Sequence, residues 1–510
     1  MDRIIREAVT QIALEEDLNL PENKPDINTL SLQRGTVIID EMKPGTDCVQ
    51  VRGRLMYNIL YQTQEGGSGL VVLEGKLPFE QKINLSGTHA GDTVHVSGMV
   101  EDLSISMINS RKLSLQALIV LNAMAEEVED VEVPIAIHGD EAIEYRKQNL
   151  ELAQLAVHKN DIFRIKEELT LPANYPNIFQ ILWNNISLQD MEFKASDGRL
   201  MLQGDINAVF LYEGEGEEHP IRSFETTIPI NGSLECHGCQ EGMIPAITYH
   251  ISQQELTIRP DFDGEERNIL LELVLDIGMC IYEEEDVEVI SDLYGVTQEV
   301  ETVTAPASLK RLLTRVIGKS KVNERIRIKN DGGAILQLLY SEGTVTIDSQ
   351  EVVPDGVVLR GVLTVNMVYV TGDDATPFRG VQQQIPFQYT LEVPGIEEDN
   401  RLKIVPAVEQ LRVTMLDGEE ADVKAVLGFS TVVFQNINVD LLKQVTVNDI
   451  DGAKKSILPG IAIYVVKPGD NLWNIGKRYY VSVADLKKWN DLTTDLIKPG
   501  QKLLIVKEIA

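Results

Sequence analysis

Cys236-His237-Gly238-Cys239 puts two soft ligands two residues apart, a spacing that suits a metal or a redox pair. A structural zinc site takes four ligands, and only Cys48, Cys280 and a few scattered histidines could complete one here. Gly318-Lys319-Ser320 has the ending of a phosphate-binding loop, but the glycine required five places earlier is Leu313. Gly214 and Gly216 have the start of a dinucleotide loop, and the third glycine position is His219. Cys48 with His95 could form a nucleophile and its base. No histidine follows His250, and no Ser/His/Asp cluster or paired carboxylate motif stands out. The expectation is a protein with no catalytic residues, no metal and no cofactor.

The elements that carry these residues recur along the chain. Leu18-Asn19-Leu20-Pro21-Glu22-Asn23-Lys24-Pro25-Asp26-Ile27 returns as Leu169-Thr170-Leu171-Pro172-Ala173-Asn174-Tyr175-Pro176-Asn177-Ile178. From Ile27 it is 26 residues to Gly53 and 8 more to Tyr61, and Ile178, Gly204 and Tyr212 keep both intervals. Ile335, Gly361 and Tyr369 keep them again without the prolines, so the copies are offset by 151 and 157 residues. Cys48 then corresponds to Arg199 and Gly356, so the copies share no nucleophile.

The stretch before each tyrosine alternates at period 2. Val51, Gly53, Leu55, Tyr57, Ile59 and Tyr61 interleave with Arg52, Arg54, Met56, Asn58 and Leu60. That pattern predicts a long strand with one buried and one wetter face, and the glycine predicts a bulge or a close backbone approach. Phe79, Phe224 and Phe387 follow as a further shared feature, with more β-type runs over 112–122, 268–282 and 422–435. Helical pattern is expected over 2–16, 141–158 and 308–317. The fold class is mainly β: three tandem β-sandwich-like repeats (1–140, 141–300, 301–447) with short helical connectors, each copy expected to fold as a separate domain. A polar linker over 448–461 leads to a last domain, 462–508.

Charge and compartment narrow the partners. Lys and Arg number 46 against 79 Asp and Glu, a net charge of −33. Such a surface repels phosphates and anionic headgroups, so nucleic acid and membrane surfaces are not expected partners. The first residues contain no long apolar segment, no uncharged run approaches the ~20 residues of a membrane span, and four cysteines are too few for a disulfide framework. The expected place is the cytosol.

The end of the chain reads strand, helix, helix, strand. Asp470 is placed to cap a helix carrying Leu472, Ile475 and Tyr479; Ser482 and Asp485 have capping-box spacing before Val483, Leu486 and Trp489. Pro499-Gly500 turns into an apolar closing strand. This segment carries eight basic against five acidic residues, a net +3 that favours an acidic partner surface.

The opening Tyr464-x-Val466-x-x-Gly469-Asp470-x-Leu472-Trp473-x-Ile475, the middle Leu486-x-x-Trp489-Asn490 and the close Ile497-x-Pro499-Gly500-Gln501 resemble a LysM domain of βααβ form. Gly476 and Tyr480 stand where Ala and Gly are common. The resemblance implies a groove for N-acetylglucosamine-containing glycan, with Gly469, Asp470, Asn471 and Trp473 on one side and Asn490, Leu492, Leu496 and Ile497 on the other. LysM often accompanies cell-wall hydrolases, but no nucleophile is found here. Three β repeats before a terminal LysM resemble the clostridial spore-coat morphogenetic proteins of the SipL type, built from SPOCS domains. That resemblance implies a non-enzymatic scaffold in the mother-cell cytoplasm at the forespore surface. Its implied partners are the SpoIVA-type ATPase of the coat basement layer and other coat proteins, with LysM as the docking module. The alternative is a protein that binds peptidoglycan or a chitin-like glycan in the cell wall.

Overall fold

The computed structural model describes residues 2–63, 69–128, 132–138, 142–328, 334–449 and 460–506. The first repeat has six strands: β1 (Asp2–Asn19), β2 (Ile27–Gly45), β3 (Cys48–Thr63), β4 (Leu70–Asn84), β5 (Thr93–Asn109) and β6 (Lys112–Val128). The second has β7 (Ile143–Thr170), β8 (Ile178–Ser196), β9 (Arg199–Gly214), β10 (Ile221–Glu235), β11 (Ile244–Pro260) and β12 (Glu266–Gly295). The third has β13 (Gln298–Arg327), β14 (Ile335–Val353), β15 (Gly356–Thr371), β16 (Phe378–Glu392), β17 (Arg401–Met415) and β18 (Glu420–Asp449). Each copy forms two three-stranded sheets, β2-β3-β4 facing β1-β6-β5 in the first, with the same order repeated in the others. The apolar core lies between the two sheets of each copy.

The long alternating strand of each copy is the centre of its sheet: β3, β9 and β15. Val49, Val51, Leu55 and Ile59 are buried and Gln50 and Arg52 exposed, as period 2 requires. The recurring glycine is explained by close approach. A Cβ on Gly53 would stand 2.5 Å from the Ile38 carbonyl oxygen and 2.6 Å from Phe79, and on Gly361 it would meet the Thr346 carbonyl. The neighbouring strand slips register beside both glycines, so the glycine admits a bulge. Phe79 and Phe387 lie directly opposite them, whereas Ile230, not Phe224, holds that place opposite Gly204.

The expected helical connectors are a correction. Residues 2–16, 143–158 and 308–317 lie in strands β1, β7 and β13. In β1, Ala8 and Ile12 fit a helical stripe, but residues four apart share a face in a strand as well. Pairing along β6, from Leu14 opposite Ala117 to Ala8 opposite Ala123, decides for the strand. The expected linker falls mostly on 450–459, outside the described residues, and Asn448 and Asp449 still belong to β18.

Two compact units emerge. One comprises Met1–Glu129, Leu155–Glu283 and Leu312–Gln435, and so unites all three copies. Within it β4 touches β8, β10 touches β14, and β16 touches β2, a cyclic closure. The equivalent residues Leu32, Trp183 and Tyr340 meet in a shared cluster with Leu60, Leu211 and Val368. This explains why Leu60, on the wetter parity, is fully buried. Arg34 crosses the junction: its guanidinium donates to the Asn184 carbonyl at 2.7 Å, pairs with Glu342 and lies 4.8 Å over the Trp183 ring. Glu342 also accepts from Tyr340 Oη at 2.7 Å and Asn366 Nδ2 at 3.0 Å. The other unit comprises Asp130–Gln154, Glu284–Arg311 and Asn436–Ala510, and it contains the C-terminal module.

Candidate functional site: the C-terminal module

The module is β19 (Ile461–Val465), α1 (Leu472–Tyr479), α2 (Val483–Trp489) and β20 (Lys502–Val506), with β19 and β20 antiparallel. Asn471, rather than Asp470, caps α1, accepting from the Asn474 N–H at 2.7 Å. Asp470 instead closes the preceding turn, accepting from Tyr464 Oη at 2.6 Å and the Lys467 N–H at 2.8 Å. Those bonds hold its carboxyl below the usual range. Lys477 and Arg478 suit the negative end of the α1 dipole. Tyr480 ends the helix at φ +55°, a left-handed conformation that glycine adopts more readily. Ser482 caps α2 as expected, accepting from the Asp485 N–H at 3.0 Å and donating to its carboxylate at 2.7 Å. Leu472, Ile475, Leu486, Leu503 and Ile505 form the core, with Trp489 packed beside them.

Seven of the eight groove candidates divide into three sets. Gly469, Asn471 and Leu496 are exposed, Leu496 at 85%. Asp470 and Asn490 are committed internally: Asn490 bonds the Leu486 carbonyl and both backbone groups of Leu504, pinning α2 to β20. Leu492 and Ile497 are half-buried against the core.

Trp473 is held by residues of β12. Its Nε1 donates to Asp292 Oδ2 at 2.7 Å, and its ring meets Tyr294 edge to face at 4.9 Å. Lys477, one turn on, places Nζ 2.5 Å from Asp292 Oδ1. Tyr294 Oη donates to the Val481 carbonyl at 2.9 Å. Burial raises the Asp292 pKa, but the bonds from Lys477 and Trp473 outweigh it and hold the carboxyl below its ordinary value. Burial pushes the Tyr294 hydroxyl far up, helped by Glu144 and Asp292. Neither Asp292 nor Tyr294 was legible as a partner of Trp473 in the sequence; the one signal is Gly476, where a Cβ would stand 2.5 Å from Tyr294 Oη.

The SPOCS domain of the SipL family matches residues 26–108, 177–259 and 334–416, and the LysM domain matches residues 464–506. The chain belongs to the SipL family. Its SPOCS copies and its LysM domain are binding modules, and no enzyme domain is found. Curated relatives match only around the LysM domain. An autolysin of Enterococcus faecalis is 44% identical over 62 residues, 12% of this chain and 8% of that protein. The N-acetylmuramoyl-L-alanine amidase sle1 of Staphylococcus saprophyticus is 50% identical over 42 residues, 8% of this chain and 13% of that protein. The cell wall-binding protein YocH of Bacillus subtilis is 49% identical over 43 residues, 8% of this chain and 15% of that protein. The SipL-family chain thus spans less than a sixth of the length of these relatives. No solved structure matches.

The other sequence candidates have local explanations. Cys236 and Cys239 form a buried disulfide in the turn after β10, and among the described residues no cluster of three metal-ligating side chains occurs. Lys319 binds Asp190 and Glu409, each at 2.8 Å, rather than a phosphate. No helix among the described residues is long and apolar enough to cross a membrane.

Proposed function

We propose that this SipL-family protein is a non-enzymatic scaffold of spore coat assembly. It acts in the mother-cell cytoplasm at the forespore surface, where its LysM domain docks on the coat basement-layer ATPase and other coat proteins gather around it. The observation that carries this reading is three SPOCS domains and one LysM domain on a single chain. The groove supports a protein ligand: Asp470 and Asn490 spend their side chains internally, while Leu496 offers an exposed aliphatic surface. Sugar recognition leans on free polar groups, whereas an apolar anchor suits a protein interface.

A second reading, peptidoglycan binding, is favoured by the likeness of residues around the LysM domain to proteins named for the cell wall. Capture of the purified basement-layer ATPase by the full chain, beside a titration with a chitin hexamer, separates the two. Leu496→Arg should weaken ATPase capture by about tenfold or more, with the hexamer weak or silent. Tight hexamer binding by a chain that ignores the ATPase would reverse the ranking. A fluorescent fusion should gather around the forespore in sporulating cells; recovery from vegetative cell wall would count against the scaffold.

A further inference from the structure

Trp473 has a single ring donor, and Asp292 takes it. Lys477 lies four residues on, on the same helical face, and takes the other carboxylate oxygen, so this one side chain satisfies two groups of α1. Tyr294 fills the space that Gly476 leaves and caps the Val481 carbonyl beyond the helix end. The receiving segment is itself anchored, because Leu293 is buried with Ile290 and Leu442. Beside it Glu144 accepts from the Val483 N–H at the start of α2. The exposed groove residues Gly469, Asn471 and Leu496 make none of these contacts.

We infer that Trp473 is a positioning residue rather than a ligand contact: with Lys477 and Gly476 it makes α1 a docking face for the chain's own Asp292–Tyr294 segment. The LysM domain is thereby held with its groove loops free for an external ligand. The consequence for partner capture rests on the proposed function, in which LysM is the docking module; the contact itself does not. A glycine where Ala is common in LysM domains then marks adaptation to a fixed neighbour.

The test uses the full chain with Asp292→Ala, Tyr294→Phe, Trp473→Phe and Leu496→Arg, followed by hydrogen exchange of residues 471–483 and 289–296. Asp292→Ala should speed exchange in both segments about fivefold, the effect of a joint worth roughly 1 kcal/mol, while 502–506 stays protected. Trp473→Phe, which keeps the ring and loses the donor, should act in the same direction. Leu496→Arg should leave exchange unchanged. With the basement-layer ATPase as probe, Asp292→Ala and Trp473→Phe should lower capture by similar factors. Unchanged exchange in Asp292→Ala overturns the docking face. Capture lowered by Trp473→Phe but not by Asp292→Ala makes Trp473 a ligand contact and also overturns it. If no form of the chain captures the ATPase, the proposed partner fails, and exchange alone decides the joint.

Discussion

Two joints in this protein use the same three kinds of side chain, one in each compact unit. At the centre of the SPOCS copies, Arg34, Trp183 and Glu342 meet; at the LysM domain, Lys477, Trp473 and Asp292 meet. The first uses tryptophan as apolar mass and a π face, and its Nε1 is buried with no hydrogen-bond partner among the described residues. The second uses tryptophan as a donor. Glu342 is 5% exposed and also accepts from Tyr340 and Asn366, whereas Asp292 is 34% exposed and Lys477 43%. Burial decides what each joint is worth. A buried charge loses heavily when its partner goes, while a half-exposed pair is screened and contributes about 1 kcal/mol or less. The first joint fuses three copies into one unit; the second fastens one face of α1 to the end of β12.

The comparison breaks most easily at the buried joint. Glu342→Ala leaves Tyr340 and Asn366 without this carboxylate acceptor and Arg34 with only the Asn184 carbonyl, and should lower the stability of the SPOCS unit by ~3–5 kcal/mol, read from the urea midpoint of the full chain. A fragment of residues 141–300 would expose Trp183, Leu211 and Ile221, and should self-associate where the intact chain does not. Leu472→Ala attacks the LysM core rather than its joint, at ~2–5 kcal/mol, enough to unfold so small a domain. It should open residues 464–506 to protease while the SPOCS transition stays in place. Asp292→Ala should move neither transition by more than ~1 kcal/mol. An effect on stability equal to that of Glu342→Ala would erase the distinction between the joints.

Much of this was legible in the sequence because period-2 alternation, recurring glycines and the LysM spacing are local signals. The 151- and 157-residue offsets hold for whole strands, from Cys48 to Arg199 to Gly356. The helical expectation over 2–16 failed because Ala8 and Ile12 satisfy both periods, and only pairing with β6 distinguishes them. The central junction was hidden for a different reason. Leu32, Trp183 and Tyr340 are equivalent in place but unlike in type, so the repeat pattern passes over them. Leu60, Leu211 and Val368 did interrupt the wetter parity, a trace of the second buried face. Asp292 lies 181 residues from Trp473, a separation at which no local pattern links them. In the LysM domain, Asp470 and Asn471 compete as adjacent good caps, and the Tyr464 hydroxyl settles the matter by taking Asp470.

The finest test separates charge from burial at the LysM joint. Raising salt to about 1 M shortens the screening length to roughly 3 Å, which weakens a half-exposed pair and leaves a buried one nearly intact. Exchange of residues 471–483 should therefore rise by a factor of about two to five, with the core strands β3, β9 and β15 unaffected. Acid should act later. The Asp292 carboxyl is depressed below its ordinary 3.8 in the folded chain, so its contribution is fully present above that value. It is lost only as pH falls through the lower folded value. Between pH 7 and 5 the joint should stay closed, and the Trp473 indole proton should exchange at a rate that follows hydroxide concentration alone. Glu144, beside Val483, has the opposite sign: its pKa is pushed up first by burial and then by Asp485, so protonating it favours the closed joint and acid does not open the joint through it. Glu144→Gln should therefore leave the salt response in place and slightly slow exchange of residues 471–483 at pH 7, assigning the two effects to different carboxylates.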